Sequence, residues 1–587
     1  MAGCSCRPLA ARALGPLSPV RLWRYGQTVH GTLGLKLSIM LVSVFFGLKG
    51  VLDSLTIEAL LPLFRELNYD GVAYQRTLAM ALTPYALKGF IGSVSDYFPI
   101  AGYHKKYYML GSNLVGLGCA VALVTLPARV TSSSIMYVGL LYCGIHLHIS
   151  TADLLCEGVY CKVVQAHPAV GAKLVAFLSF CNSTGHLVGK TLVGPISDAF
   201  GTAPLLYMTV PLVLQTLAPI LFNFLGESKA EAREMGSALT RDRSHRGVFT
   251  VAVLTSVSAC VALVLTLQTW RGWAVVFTVF VVVLLGGASC YLLSSRLALC
   301  AMFFFADRVL HLTISGAVNF YYIAPPSCVP DGPNFDYTYF CTYTALVGAI
   351  GCWFGIYAFQ KWFKGWSART IFWLTNTVRI LAALFDYVII RRLNIRIGIP
   401  DKVMFMLGDA IVYHLLLTLS CMTSSLTVAR SCPPKLESTV YAIVSGVTNL
   451  GSTCSKMLGA VAIEIAGIQM KETAPGGCDF HTLPNLILVS QCLLPCACIP
   501  LAYFMLPKEP LNSAVPPQQR RRSKTVSKGS NTDQSKTPCN APQGSPTAEP
   551  PCDAASETLA LHESVGEKEE MAVVAGDAGS RPRIVEV

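Results

Sequence analysis

Charge is scarce in this chain: Asp, Glu, Lys and Arg make up 13% of its 587 residues, against 53% hydrophobic. That balance, with a mean hydropathy of +0.52, excludes an ordinary soluble domain. Weak two-residue alternation, the mark of barrel strands, is also missing, so the spans are expected to be helices. No GxxxxGK[ST] loop is present, which argues against an ATP-driven pump. No paired CxxC motifs occur, so the 22 cysteines are not a metal framework. Most of them lie inside apolar runs, among them Cys119, Cys143, Cys156, Cys181, Cys260, Cys352 and Cys492, where Cys acts as a small hydrophobe. The basic opening segment has no short apolar core with a cleavage site before Leu33. It reads as a cytoplasmic tail, with an organelle address as the alternative.

What the chain does have is long apolar runs. About fourteen of them can cross a hydrocarbon core of ~30 Å, which takes roughly 20 helical residues. They predict an N-terminal tail at 1–34, a six-helix bundle at 35–226 and a charged loop at 227–248. Two nearly featureless helices at 249–296 follow, then a second six-helix bundle at 297–507 and a polar, disordered tail at 508–587. Twelve core helices in two groups of six are the plan of a transporter with two parallel halves. With both termini inside, most basic loops fall on the cytoplasmic side, so the net charge of +12 orients the chain against a lipid bilayer and does not imply nucleic acid. The segment RRLNIRIGIPDK at 391–402 breaks this rule, and either its span ends are misplaced or it has its own task.

The halves echo one another. ADLLCEGVY and GDAIVYH each carry an aspartate (Asp153, Asp409), and NSTGHLVGKTLVG and NLGSTCSKMLGA each carry Asn, Gly, then Lys (Lys190, Lys456).

Ionisable residues inside spans are costly, at least ~2.5 kcal/mol each, and mark cavities or partners. Lys49 and Asp53 are four apart and can pair. Lys88, Glu58, His146, His148, Asp307, Arg308, His311, Asp386 and Asp409 are the others that stand out. Asp153 and Glu157, also four apart, put two like charges on one face, an arrangement suited to proton exchange. His146 and His148 point to different faces, so no metal site is expected of them, and no catalytic residues or cofactor are expected at all. An integral membrane enzyme would gather its acid, base or ligands near one membrane face, whereas these charges are spread through both halves. Cys328 and Cys478 fall in the two longest predicted outside loops and are a candidate disulfide.

Several ordered blocks resemble the folate-biopterin transporter family of the major facilitator superfamily, nearest its protozoan members. They are LKGVLDSLTIEALLPLF, TPYALKGFIGSVSDYFPIAGYHKKYYM, ADLLCEGVY, CVPDGPNFDYTYF, NTVRILAALFDYVIIRRLNIRIGIPDKVMFMLGDAIVY and SGVTNLGSTCSKMLG. The resemblance runs from about 35 to 506 and implies an all-α integral membrane protein of facilitator type, two six-helix halves plus two central helices. It implies a small-molecule substrate, a folate, a pterin or S-adenosylmethionine, moved with protons by alternating access, most simply at the plasma membrane. Lys49, Lys88, Lys190 and Arg308 would meet a folate's carboxylates, while Asp53, Asp153 or Glu157 meets the amino edge of the pterin. Asp153 and Glu157 would carry the proton. GSVSDYFPIAGYHKK resembles the superfamily's signature loop, making Gly92, Asp96, Lys105 and Lys106 a cytoplasmic gate, in which Gly92 would permit close helix approach, Asp96 would face the start of the helix following CPPKLES, and Lys105 and Lys106 would hold the loop at the membrane surface. GHLVGKTLVGPISD departs from the antiporter motif by lacking its terminal glycine pair, so it does not separate symport from exchange.

Overall fold

The structure, a computed structural model, describes residues 31, 33–125, 135–166, 168–229, 243–267, 271–363, 365–431, 437–470 and 478–511. The expected tails beyond these limits, and the middle of the 227–248 loop, lie outside the described residues.

Apolar runs with no water to bond must satisfy their own backbone, and here they do so as helices. Helices α1 (Leu33–Glu66), α3 (Lys106–Thr125), α4 (Ile135–Ala166), α6 (Ala203–Leu221), α7 (Arg243–Leu267) and α8 (Arg271–Leu292) are the apolar ones of the first part of the chain. Between them stand two more polar helices, α2 (Gly71–Leu82 and Lys88–Tyr97, joined by a tight turn at Thr83–Leu87) and α5 (Pro168–Phe200). Further on, α9 is broken into Ser295–Leu310 and Ser315–Tyr322, bent by 42°. It is followed by α10 (Thr338–Phe363), α11 (Ala368–Ile390), α12 (Asp401–Val428), α13 (Glu437–Ile465) and α14 (Leu483–Met505). Among the described residues there is no strand, only isolated bridges. The chain is therefore an all-helical membrane protein of two six-helix halves with two central helices.

The crossing of α1 and α5 rests on missing side chains. A Cβ at Gly185 would lie 2.4 Å from the Phe46 carbonyl oxygen, and one at Gly50 would lie 2.7 Å from Gly185 Cα. Gly185 and Gly189 form a small-xxx-small stripe that lets backbones touch where lipid offers no hydrophobic drive. The second half repeats this between α9 and α13, where a Cβ at Gly451 would lie 2.8 Å from the Phe305 carbonyl oxygen. In both cases a lysine follows five residues later, Lys190 and Lys456, so the echo in the sequence is an echo of packing.

Helices α2 and α13, and α5 and α10, join the halves. Their polar contacts gather on one face, here called the disulfide face because Cys328 and Cys478 are bonded there, with Cα atoms 5.3 Å apart. Arg76 of α2 pairs with Glu464 of α13. Gln75 donates to the Thr313 carbonyl and accepts from Ser315 Oγ and the Gly316 amide. Asp198 of α5 accepts from the amides of Tyr337 and Thr338. This face is closed.

Helices α7 and α8 are not simple lipid-facing filler. α8 exposes Val276, Val279, Phe280 and Val283, but buries Val281 and Leu285 in one cluster with Phe303 of α9 and Val444 of α13. The irregular basic segment keeps its expected span ends, Ile390 and Asp401, and has its own bonding: Arg392 Nη1 donates to Asp401 Oδ1 at 2.9 Å, and Asn394 Nδ2 to the same oxygen at 2.7 Å.

Two outcomes follow from this packing. Gly185→Val should overpack the α1–α5 crossing by about 1–3 kcal/mol, read as a lower melting temperature and poorer monodispersity in detergent. Digestion without reduction should yield a joined Cys328–Cys478 peptide that separates on adding reductant.

Candidate functional site

Asp153 on α4 is fully buried, and two lysines from different helices reach it. Lys49 Nζ of α1 donates to Oδ1 at 2.7 Å, and Lys88 Nζ of α2 donates to Oδ2 at 2.5 Å. Each ammonium also lies over an aromatic face, Lys49 above Phe45 at 5.4 Å and Lys88 above Tyr85 at 5.3 Å. Local backbone aims them: Lys49 sits in a widened turn of α1 at Ser43–Leu52, and Lys88 follows the tight turn of α2.

A second group adjoins the first. Asp53 accepts a hydrogen bond from Tyr85 Oη, and His146 Nδ1 lies 3.3 Å from Asp53 Oδ1. His146 Nε2 is 3.3 Å from Thr56 Oγ1, whose own proton goes to the Leu52 carbonyl. The expected pairing of Lys49 with Asp53 along one helix is therefore replaced by pairings across helices. The physical reason is that an intrahelical pair would leave the fully buried Asp153 with one ammonium in place of two and would compete with His146 and Tyr85 for Asp53. Lys190 of α5 pairs with Glu58 of α1 at 2.7 Å, and both side chains stay partly exposed. Glu157, one turn beyond Asp153, is partly exposed. Its hydrogen bonds to described residues are none.

Arg308 is not in this cluster. It lines a cavity of about 150 Å³ in the other half with Asp307, Phe304, Tyr441 and Asn449. Asn449 Nδ2 donates to the Tyr85 carbonyl at 3.2 Å, so that cavity borders the first cluster through one hydrogen bond. The side chain of Asp409 lies outside what is described. His148, like His146, is fully buried, and it bonds Ser112, Asn113 and Thr216 as a core residue.

The gate residues divide. A Cβ at Gly92 would meet Leu154 at 3.4 Å, an ordinary contact, so close helix approach is not what requires glycine there. That approach occurs at Gly89, where an added Cβ would lie 3.1 Å from Ile443 Cγ1 of α13. The helix whose start Asp96 was expected to face is α13, from Glu437, but the side chains of its first turn and the segment 432–436 before it lie outside what is described. Lys105 is buried, its ammonium against Gly158 of α4, and does not lie along the membrane surface. Lys106 rests on the rings of Tyr103 and Tyr107 at 5.6 and 6.0 Å.

Sequence reasoning missed Glu227. Its carboxylate accepts from the amides of His104, Lys105 and Lys106 at 2.6–3.2 Å, capping the start of α3 from more than a hundred residues away. No local pattern could signal a cap so distant. The roles of Tyr85 and Thr56 were missed for the same reason.

The family model of the BT1 family matches residues 49–526. The chain belongs to this family, the folate-biopterin transporters. Among curated relatives, the probable folate-biopterin transporter 6 of Arabidopsis thaliana is 22% identical over 422 residues, covering 71% of this chain and 72% of that one. The folate-biopterin transporter of Synechocystis sp. is 20% identical over 455 residues, covering 77% and 78%. Among solved structures, the nucleoside transporter NupG has a TM-score of 0.54 at 14% identity, over 80% of this chain and 99% of that one. An auto-inhibited POT family peptide transporter gives 0.55 at 12%, over 84% and 99%. These likenesses establish the facilitator fold. The chain is a membrane transporter, not an enzyme.

Replacing Glu227 by Ala strips three amides of their acceptor. It should cost about 1–2 kcal/mol, measured as a fall in melting temperature that Glu227→Asp partly restores.

Proposed function

We propose that this transporter carries a folate or pterin, with a proton, by alternating access between the two faces. The observation that carries the reading is the double clasp on Asp153. Two ammonium groups share one buried carboxylate with Glu157 one turn away, so once that carboxylate pair takes a proton the site holds surplus positive charge that an incoming carboxylate can use. Such a substrate competes with Asp153 for Lys49 and Lys88. A proton delivered to the Asp153–Glu157 pair weakens the internal clasp and frees the lysines. Anion and proton therefore favour each other's binding, which is the thermodynamic content of symport.

Lys190 and Arg308 are proposed as further contacts for substrate carboxylates. Asp53, linked to Tyr85 and His146, is proposed for the amino edge of a pterin. The closed disulfide face supports a state open toward the other side, where Gly92, Asp96, Lys105 and Lys106 belong to the proposed gate. The distribution of basic loops supports that gate, and both termini, on the cytoplasmic side, most simply of the plasma membrane. The names of the curated relatives support folate or biopterin as cargo.

Uptake of labelled folate, biopterin and S-adenosylmethionine into transport-deficient cells, with and without an inward proton gradient, tests the reading. Folate or biopterin should accumulate above the empty vector and rise with the gradient. Asp153→Asn should lower gradient-driven uptake about tenfold or more with normal surface expression. Accumulation of S-adenosylmethionine alone, or unchanged gradient dependence in both Asp153→Asn and Glu157→Gln, would sink the substrate or the coupling assignment respectively.

A further inference from the structure

A second polar cavity lies in the other half, away from the Asp153 cluster. It measures about 210 Å³, is partly open, and is lined by the break in α9 and by α11, α12 and α14, with His311, Arg379, Asp386 and Tyr413 on its wall. The carbonyls at the break are already satisfied. Ser455 donates to the His311 carbonyl at 2.8 Å, Gln491 to Leu312 at 2.5 Å and Gln75 to Thr313 at 2.7 Å. Unpaired polar groups of side chains remain on the wall.

Two of these have no partner. Arg379 sits midway along α11 and forms no hydrogen bond or ion pair with any described residue. His311 is 3% exposed, and its Nε2 is buried without a hydrogen bond. Asp386, two turns beyond Arg379, already accepts from Tyr322 Oη. A guanidinium held in mid-membrane and facing a cavity, beside an orphaned ring nitrogen, marks a place for an anion.

The tautomer of His311 adds a condition. Nδ1 is 2.9 Å from the carbonyl oxygen of Asp307, which can only accept, so Nδ1 carries the proton. In the neutral ring Nε2 is then a bare lone pair, which repels a carboxylate; only the doubly protonated ring offers a donor to the cavity. The charged and titratable groups around the ring are Asp307 and Arg308 of α9, Arg379 and Asp386 of α11, Tyr413 of α12 and Cys498 of α14. α13 meets it with the neutral hydroxyl of Ser455, next to Lys456. Asp307, 3.8 Å from Nδ1, and Asp386 on the wall partly offset Arg379 and a charged ring, but neither hydrogen-bonds Nε2, whose proton is left for an entering anion.

We propose that this cavity is a binding site for a carboxylate, which enters together with one proton and is held by Arg379 and the doubly protonated His311. The site is separate from the Asp153 cluster, and its ligand is either a carboxylate of the transported molecule or a free small one.

Calorimetric titration of the full chain in lipid nanodiscs, with benzoate as probe and benzamide as its neutral counterpart, tests this without any transport step. Benzoate should bind and benzamide should not. Buffers of different ionisation heat should reveal uptake of about one proton per benzoate, and affinity should fall from about pH 6 to about pH 8. Arg379→Gln should weaken binding about tenfold or more, Ala383→Phe should block it by filling the cavity, and His311→Gln should abolish the proton uptake. No benzoate binding to the unaltered protein, equal binding of benzamide, or binding unchanged in both Arg379→Gln and Ala383→Phe overturns the proposal. Should Arg379→Gln not fold, Ala383→Phe carries the test alone. Competition separates the two sources: folate displacing benzoate while biopterin does not identifies the carboxylate of a transported molecule, and failure of both identifies a free one. Because the readout is binding, its failure leaves the uptake experiments on Asp153 untouched.

Discussion

A buried charge must be answered where it stands, because hydrocarbon supplies neither water nor counterion. Asp153 is where this constraint bears hardest. Its carboxylate is fully buried on α4, and Lys49 from α1 and Lys88 from α2 bring the answering charges. Three helices are thereby tied at one point, and other features follow from holding them there. Gly50, Gly185 and Gly189 let α5 come up behind α1, which brings Lys190 to Glu58. Tyr85, one turn before Lys88, reaches Asp53 and bridges to His146.

The same constraint shapes the second half differently. There α9 is interrupted at His311–Ile314, and side chains from α2, α13 and α14 satisfy the freed carbonyls. Non-helical backbone at membrane depth is tolerated only with such partners or beside a cavity, and here both conditions are met. One of the partners, Gln75, comes from the opposite half. The break is thus stitched across the interface at the closed face, close to Arg76 and Glu464. A rearrangement that separated the halves there would have to find new partners for the Thr313 carbonyl.

The charges in the spans were legible because charge is rare in such a chain, and Lys49, Lys88, Asp153 and Glu157 do gather in one half. Their pairing was not legible. Helical spacing allowed Lys49–Asp53, and only the positions of α2 and α4 show that each has a better partner elsewhere. Arg308 was singled out with the same group, yet it stands in a cavity of the other half, which meets the cluster at the Asn449–Tyr85 hydrogen bond. Lys105 reads as an interfacial anchor from its neighbours in the sequence, but the turn after α2 directs it inward against Gly158. Arg379 drew no attention, since one arginine within an otherwise apolar helix carries no sign of whether it is paired.

By itself the sequence determined that this is a helical membrane protein of the facilitator type and to which family it belongs. Each of these depends on the composition and order of residues within a segment, since the bilayer fixes the length and apolarity a span must have. Only the tertiary structure decided which charges answer one another, which glycines bear a helix crossing, that Glu227 caps α3 and that Arg379 and His311 face an unfilled cavity. Those depend on side chains brought together from distant helices, over distances set by packing and not by spacing along the chain.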